Sequence, residues 1–333
     1  VKPLLLLCLI LPLAGCASLN RLGPDEREQA AGRVYVVTGA SSGFGRGVAL
    51  RLAGLGARVA VAARRREGLQ SVAAEMRRAG GEVLVVPTDV AHADQMQHLA
   101  QATLQRFGRI DVWVNNAGVG AIGRFEEIPL EDHARLVDVN LKGVIYGSHI
   151  ALRQFRAQGQ GTLVNIGSVE SEVPLAYQAS YAASKAAVLS LGRALNEEIR
   201  LSGQHGISVA TVLPWVAATP FFSHTANYSG RAPSMIAPDD PWQVVEAIVW
   251  VSLHPREELP VGWKAWGAYA AHRVFPDLSE RIAADVEHRA QMVSGPPAPS
   301  TSGNLHRPLT QAWTVEGNAQ PGTAPDAGRK AAE

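Results

Sequence analysis

The chain has 333 residues, 47% of them hydrophobic, enough to bury a full core in one large domain with appendages or in two small ones. Its 31 basic and 30 acidic residues leave a formal net charge of +1, so no global field favours nucleic acid or an anionic surface as a partner. The two cysteines, Cys8 and Cys16, both lie in the leader, which leaves the body without a disulfide, a thiol nucleophile or a cysteine-ligated metal, and the histidines show no metal-ligand spacing.

The leader "VKPLLLLCLILPLAGCASLN" has one basic residue, Lys2, an apolar run from Leu4 to about Leu13, and small residues around Cys16, the layout of a secretory signal. The segment "LAGC" resembles the lipobox of bacterial lipoproteins, which implies lipidation of Cys16 and loss of the residues before it. An uncleaved anchor is the competing reading, although the apolar run is short for a membrane span. Arg21, Arg27 and Arg33 after the run are compatible with a body facing the cytoplasm. Membrane attachment through the leader is therefore expected, with the side left open and a cytoplasmic location as the alternative. Residues 1–30 are set apart from the fold.

From Arg33 onward short β-branched runs alternate with helical stretches. Strands are expected at "VYVVTGA" (34–40), "RVAVAAR" (58–64), "EVLVVPTDV" (82–90), "IDVWVNNAG" (110–118), "GTLVNIGS" (161–168) and "ISVATVLP" (207–214), each followed or preceded by a helix-patterned segment. The segment 130–159 reads as one long helix, and another begins near Tyr181. After Pro214 comes a long proline-containing loop, then a helix over 241–255, a last strand at "ELPVGWKAW" (258–266) and a helix near 277–293. From Ser294 the chain is rich in Pro, Gly, Ser, Thr and Ala, and a mostly disordered tail, 294–333, is expected. Strands apolar throughout and alternating with helices indicate a single α/β domain over 31–293. Its parallel sheet is doubly wound in the Rossmann manner, with helices on both faces and a ligand cleft at the carboxyl ends of the strands.

Three constellations carry chemistry. The first strand runs into "TGASSGFGRG", where Gly39, Gly43 and Gly45 stand at a strand-to-helix turn suited to a tight crossing and to close approach of a pyrophosphate at a helix N-terminus. Tyr181 and Lys185 stand four apart on a helix and therefore on one face, where an ammonium beside the phenol favours its ionised form and suits it to proton transfer. At the end of the second strand, Ala63 is followed by Arg64 and Arg65; without a carboxylate there and with guanidinium groups to pair a 2'-phosphate, NADP(H) is expected over NAD(H).

The spacing Thr-Gly-x-x-x-Gly-x-Gly, "NNAG" at 115–118 and the Tyr181/Lys185 pair together resemble the classical short-chain dehydrogenase/reductase family, over residues 33 to about 265. The resemblance implies a catalytic set of Asn140, Ser168, Tyr181 and Lys185, with Ser168 stabilising the oxyanion, Asn140 holding a water beside Lys185, and Lys185 also binding ribose. It implies cofactor contacts from Gly39, Ser41, Ser42, Gly43, Phe44, Gly45, Arg64, Arg65, Asp89 (at the adenine), Val90, Asn116, Ala117, Gly118, Pro214 and Thr219, and no metal. It also implies a homodimer or homotetramer packed through helices around 130–155 and 181–202. The chain departs from the family in Trp215 after Pro214 and in Ala217.

The expected activity is reduction of a carbonyl to an alcohol, reversibly, with NADPH. Loops at 119–128, 169–180 and 215–235 shape the substrate pocket, and Phe125, Leu175, Trp215, Phe221 and Phe222 in them favour a hydrophobic ketone or aldehyde over a sugar; His224 and Tyr228 either face it or are ordinary surface residues, the second reading being favoured for His224. The alternative is a tethered Rossmann module that binds a nucleotide or lipid without turnover.

Overall fold

A computed structural model of the chain describes residues 22–308 and 313–317. The leader with Cys8, Cys16 and Arg21 lies outside the described residues, as do 309–312 and 318–333. Among the described residues no helix is long and apolar enough to cross a membrane.

The strands are β1 (Val34–Thr38), β2 (Arg58–Ala63), β3 (Glu82–Pro87), β4 (Val112–Asn115), β5 (Ala121–Ile122), β6 (Gly161–Ile166), β7 (Ile207–Pro214), β8 (Ala226–Asn227) and β9 (Glu258–Val261). Seven form one parallel sheet in the order β3-β2-β1-β4-β6-β7-β9, and β5 pairs with β8 in a small second sheet. Their Val, Ile and Ala runs are buried on both sides, as a parallel sheet under two layers of helices requires. Chain order reverses between β1 and β4, which opens a crevice at their carboxyl ends.

The helices are α1 (Pro24–Ala30), α2 (Gly43–Gly54), α3 (Arg66–Arg78), α4 (Ala93–Phe107), α5 (Leu130–Val137), α6 (Gly143–Gln158), α7 (Ala179–Leu201), α8 (Phe221–His224), α9 (Pro241–Leu253), α10 (Gly262–Val274) and α11 (Pro276–Glu287). Leu52, Leu69, Met76, Val244 and Ile248 bring α2, α3 and α9 onto one face of the sheet, while Leu99, Phe155 and Ile199 bring α4, α6 and α7 onto the other. Each such apolar side chain, fully buried, contributes about 1.5–3 kcal/mol. The indole of the buried Trp113 donates to Asn115 Oδ1 at 2.8 Å, so its polar edge is satisfied within the core.

Three expectations are corrected. The strand expected over 258–266 stops at Val261, because Val261 pairs with Pro214, the end of β7, and nothing remains beside it to extend the ladder. Gly262, at φ +80°, turns the chain into α10, so Trp263 and Trp266 are helical and not in a strand. The long helix expected over 130–159 is broken by a π-helical turn, Asp138–Lys142, which carries Asn140. The segment from Ser294 is ordered through much of its described length: Leu305 and Val315 are buried, and Thr301 pairs with Asn227. Composition did not reveal this because backbone carbonyls supply many of its anchors; Arg231 donates to Gly295 O at 2.6 Å and Arg64 to Leu305 O at 2.8 Å.

Candidate active site

At the carboxyl end of β1 the glycine turn crosses β4 closely. Gly39 has φ +67°, and a Cβ there would lie 2.8 Å from Ala117 Cα; one on Gly45 would lie 2.5 Å from Gly39 O and closer still to Asn116 Nδ2. Asn116 fastens the crossing by donating to Thr38 O at 2.8 Å, while Thr38 Oγ1 accepts from the N–H groups of Asn116 and Ala117 at 3.0 and 3.1 Å. Gly43, at φ +56°, opens α2, and a Cβ built there would make ordinary contact with Thr219 Cβ at 3.7 Å. This cradle, ending at a helix N-terminus beside a cavity of about 600 Å³, fits a dinucleotide. The residues expected to bind cofactor or act in catalysis all line that cavity except Gly45 and Asn140, which stand behind its wall.

On the opposite wall, Tyr181 and Lys185 stand one turn apart at the start of α7, and Ser168 follows β6 in extended conformation. The Ser168 hydroxyl lies near enough to the Tyr181 phenol to favour its ionised form. The Ser168 oxygen also accepts from Glu170 N at 3.1 Å. Lys185 Nζ lies 5.7 Å from the centre of the Tyr181 ring and donates to Ile166 O at 2.8 Å, 5% of the residue remaining exposed. Asn140 is fully buried: its Oδ1 accepts from Val119 N at 2.9 Å, and Nδ2 donates to Val119 O at 2.9 Å and Ser184 Oγ at 3.2 Å. Both Nδ2 hydrogens are thus engaged in pinning α7 to the loop after β4. A Cβ on Gly118 would lie 3.5 Å from Asn140 Oδ1 and 3.7 Å from Lys185 Nζ, so this glycine keeps the space between them open.

The expectation that Lys185 lowers the Tyr181 pKa is not met in this structure. Burial and then the Glu170 charge push the phenol well above its usual value, with only the Ser168 hydroxyl opposing them. Burial lowers Lys185 to about 8, partly opposed by Glu170. The carboxyl whose charge acts on both groups after burial, Glu170, was not singled out in the sequence. Burial and the neighbouring Glu287 in turn raise its own pKa well above the carboxylate range.

At the cofactor's other expected end, the C-terminal segment covers the arginines. Arg64 donates to Leu305 O at 2.8 Å and to Asn304 O, Arg65 donates to Pro308 O, and Gly43 N donates to Thr314 O at 2.8 Å. Arg135 joins Asp89 to this segment, pairing with the carboxylate at 2.5 Å and donating to Leu305 O at 3.1 Å. Burial acts to raise Asp89, but hydrogen bonds from Arg135 and Ala91 and the charges of Arg135 and Arg64 hold its pKa low. His306 closes the segment onto Asp132 at 2.6 Å.

Leu175, Trp215, Phe221 and Phe222 line the substrate half of the cavity, and so does His224, which the sequence reading favoured as a surface residue. Two candidates do not. Phe125 is 58% exposed and lies on His133 with ring centres 4.6 Å apart, and the Tyr228 hydroxyl donates to Asp132. The remaining wall comes from α10 and α11, with Ala271, Ile282, Val286 and Glu287, which the sequence did not place. Among the described residues no group of three or more His, Cys, Asp or Glu is arranged to hold a metal.

The sequence model of the family described as short chain dehydrogenase matches residues 33–228. The uncharacterized oxidoreductase YxnA of Bacillus subtilis is 31% identical over 279 residues, 82% of this chain and 78% of that protein. An alcohol dehydrogenase from the archaeon Thermococcus sibiricus, solved with 5-hydroxy-NADP, is similar with a TM-score of 0.60 and 28% identity over 68% of this chain and 94% of its own. A 3-ketoacyl-(acyl-carrier-protein) reductase from Brucella melitensis, solved with NADH, is similar with a TM-score of 0.60 and 28% identity over 69% and 96%.

Proposed function

The chain belongs to the short-chain dehydrogenase family, and from that premise we propose that it is an NADP(H)-dependent oxidoreductase interconverting a hydrophobic ketone or aldehyde with its alcohol. The observation that carries this reading is the convergence of Ser168, Tyr181 and Lys185 on one wall of the cavity whose far end is the Gly39–Gly45 turn.

When bound, the nicotinamide supplies the hydride for reduction or accepts it in oxidation. As a carbonyl oxygen gains charge, it needs a hydrogen-bond donor and then a proton. Ser168, on the same wall as Tyr181 and with its oxygen accepting from Glu170 N, carries a hydroxyl hydrogen that can turn from the phenol to that oxyanion. Tyr181 supplies the proton, its raised pKa keeping the phenol protonated and ready to give the proton up only to an alkoxide. Lys185, lowered by burial to about 8 and one helical turn from Tyr181, is the group that restores that proton.

For cofactor choice, similar structures hold either nicotinamide cofactor, so NADP(H) rests on this chain's own residues. Ala63 at the end of β2 presents no carboxylate to a 2'-phosphate, and Arg64 and Arg65 follow it on the cavity rim. The apolar lining by Leu175, Trp215, Phe221 and Ile282 supports a hydrophobic substrate. The test is oxidation of NADPH and of NADH, followed at 340 nm, with hydrophobic ketones and with sugar ketones. NADPH-dependent turnover of the hydrophobic set is expected; better turnover of the sugars, or with NADH, would refute the finer reading.

A further inference from the structure

Two buried carboxyl groups, Glu170 and Glu287, line the cavity, and the proton and hydride transfers do not use them as binding groups. Glu170 is 8% exposed, lines the cavity, and its Oε2 has no hydrogen-bond partner among the described residues. Glu287, in the last turn of α11, is 4% exposed, lines the same cavity and accepts one hydrogen bond, from Gln178 Nε2 at 3.3 Å. Each comes from a different element, and they are close enough that the charge of Glu287 acts on Glu170.

The corner is held in place from outside. Tyr177 adopts φ +68°, an uncommon conformation for a residue with a side chain, and its hydroxyl shares a 2.7 Å hydrogen bond with His288 next to Glu287. The end of α11 is thereby sewn to the turn that precedes Tyr181.

A buried acidic pair is costly unless a positive charge or strong donors compensate it. The nearby cation, Lys185, already donates to Ile166 O and has its own place in catalysis. Around the pair the lining is apolar: Val173, Leu175, Trp215, Ile282 and Val286. Burial and the like charge raise Glu170, with Lys185 opposing them only in part, and burial raises Glu287 to about 7 against its hydrogen bond from Gln178.

We propose that Glu170 and Glu287 form a subsite for a cationic nitrogen, so that the preferred substrate is a lipophilic carbonyl compound bearing a protonated amine. This inference rests on the reductase reading for the identity of the reacting group.

The test uses the full chain with NADPH and matched probes of the same shape: 3- and 4-(dimethylamino)cyclohexanone against 3- and 4-isopropylcyclohexanone. For at least one ring position, kcat/KM is expected to favour the amine by about tenfold or more, and the ratio is expected to fall below about threefold in Glu170→Gln and Glu287→Gln. Equal or better reduction of both isopropyl ketones by the wild type, or a preference that survives the double substitution, would overturn the subsite; the wild-type ratio decides by itself if a variant does not fold. If no ketone is reduced, the reductase reading fails first, and quenching of tryptophan fluorescence by the same probes decides the subsite. About tenfold tighter binding of an amine, lost in the Gln variants, supports it, and equal binding refutes it.

Discussion

The backbone N–H of Gly43, at the first position of α2, donates a 2.8 Å hydrogen bond to the carbonyl of Thr314. That N–H is one of the donors a helix N-terminus offers to a phosphate, and Arg64 and Arg65 are likewise engaged by carbonyls of residues 304, 305 and 308. The C-terminal segment therefore competes with a cofactor for the groups that would bind it. Removing residues 301–333 is expected to speed NADPH association and lower its Kd, each by about tenfold, as freed charge-assisted donors would allow. Stopped-flow fluorescence measures both; unchanged rates and affinity would show that the segment does not guard those donors.

Cofactor preference should reside in the same arginines. Arg64→Ala with Arg65→Ala is expected to reduce the NADPH-over-NADH ratio of kcat/KM by about 10- to 100-fold, chiefly through NADPH, because a neutral ribose makes no demand on a guanidinium. A ratio that stays within about twofold of the wild type would place phosphate recognition elsewhere.

Gly45 tests the tight crossing of the glycine turn over β4. A Cβ at this position would meet Gly39 O and Asn116 Nδ2, neither of which is the free end of a flexible chain: Asn116 is held by Thr38 O. Gly45→Ala is expected to destabilise the fold by about 1–3 kcal/mol, visible as a lower Tm together with weaker NADPH binding.

The acidic pair also predicts a pH dependence of stability. Glu287 is raised by burial to about 7, so its burial is harmless while the carboxyl is protonated in both states, below about 4.5. Stability declines as pH rises from there through 7, where the folded state must ionise a buried group. Glu287→Gln should remove that decline, raising Tm at pH 8 by roughly 5 °C while changing it little at pH 4.5. Equal Tm differences at the two pH values would show that Glu287 ionises freely in the folded protein.

Much of the fold was legible because its signals are local. The β-branched runs at 34–38, 58–63 and 207–214 mark buried parallel strands, and Gly39, Gly43 and Gly45 stand where β1 becomes α2. Tyr181 and Lys185 share a helix face by spacing alone. What escaped depends on pairing across long separations. Glu170 and Glu287 become a pair only when α11 folds back over the turn after β6, and no local pattern marks either one. Residues 262–266 look strand-like, yet become helix because β7 has ended at Pro214 and leaves no partner. The segment after Ser294 looks disordered because many of its anchors are carbonyls, which composition does not reveal.

The most direct test of the proposed chemistry is single-turnover oxidation of NADPH by the full chain with a hydrophobic ketone, in the wild type and in Tyr181→Phe, with NADPH affinity measured alongside. If the Tyr181 phenol delivers the proton, its removal should slow turnover by about 10²- to 10⁴-fold while NADPH binding changes by less than about threefold. A Tyr181→Phe protein that keeps more than about a tenth of the wild-type rate would contradict the assignment and with it the role given to this wall of the cavity.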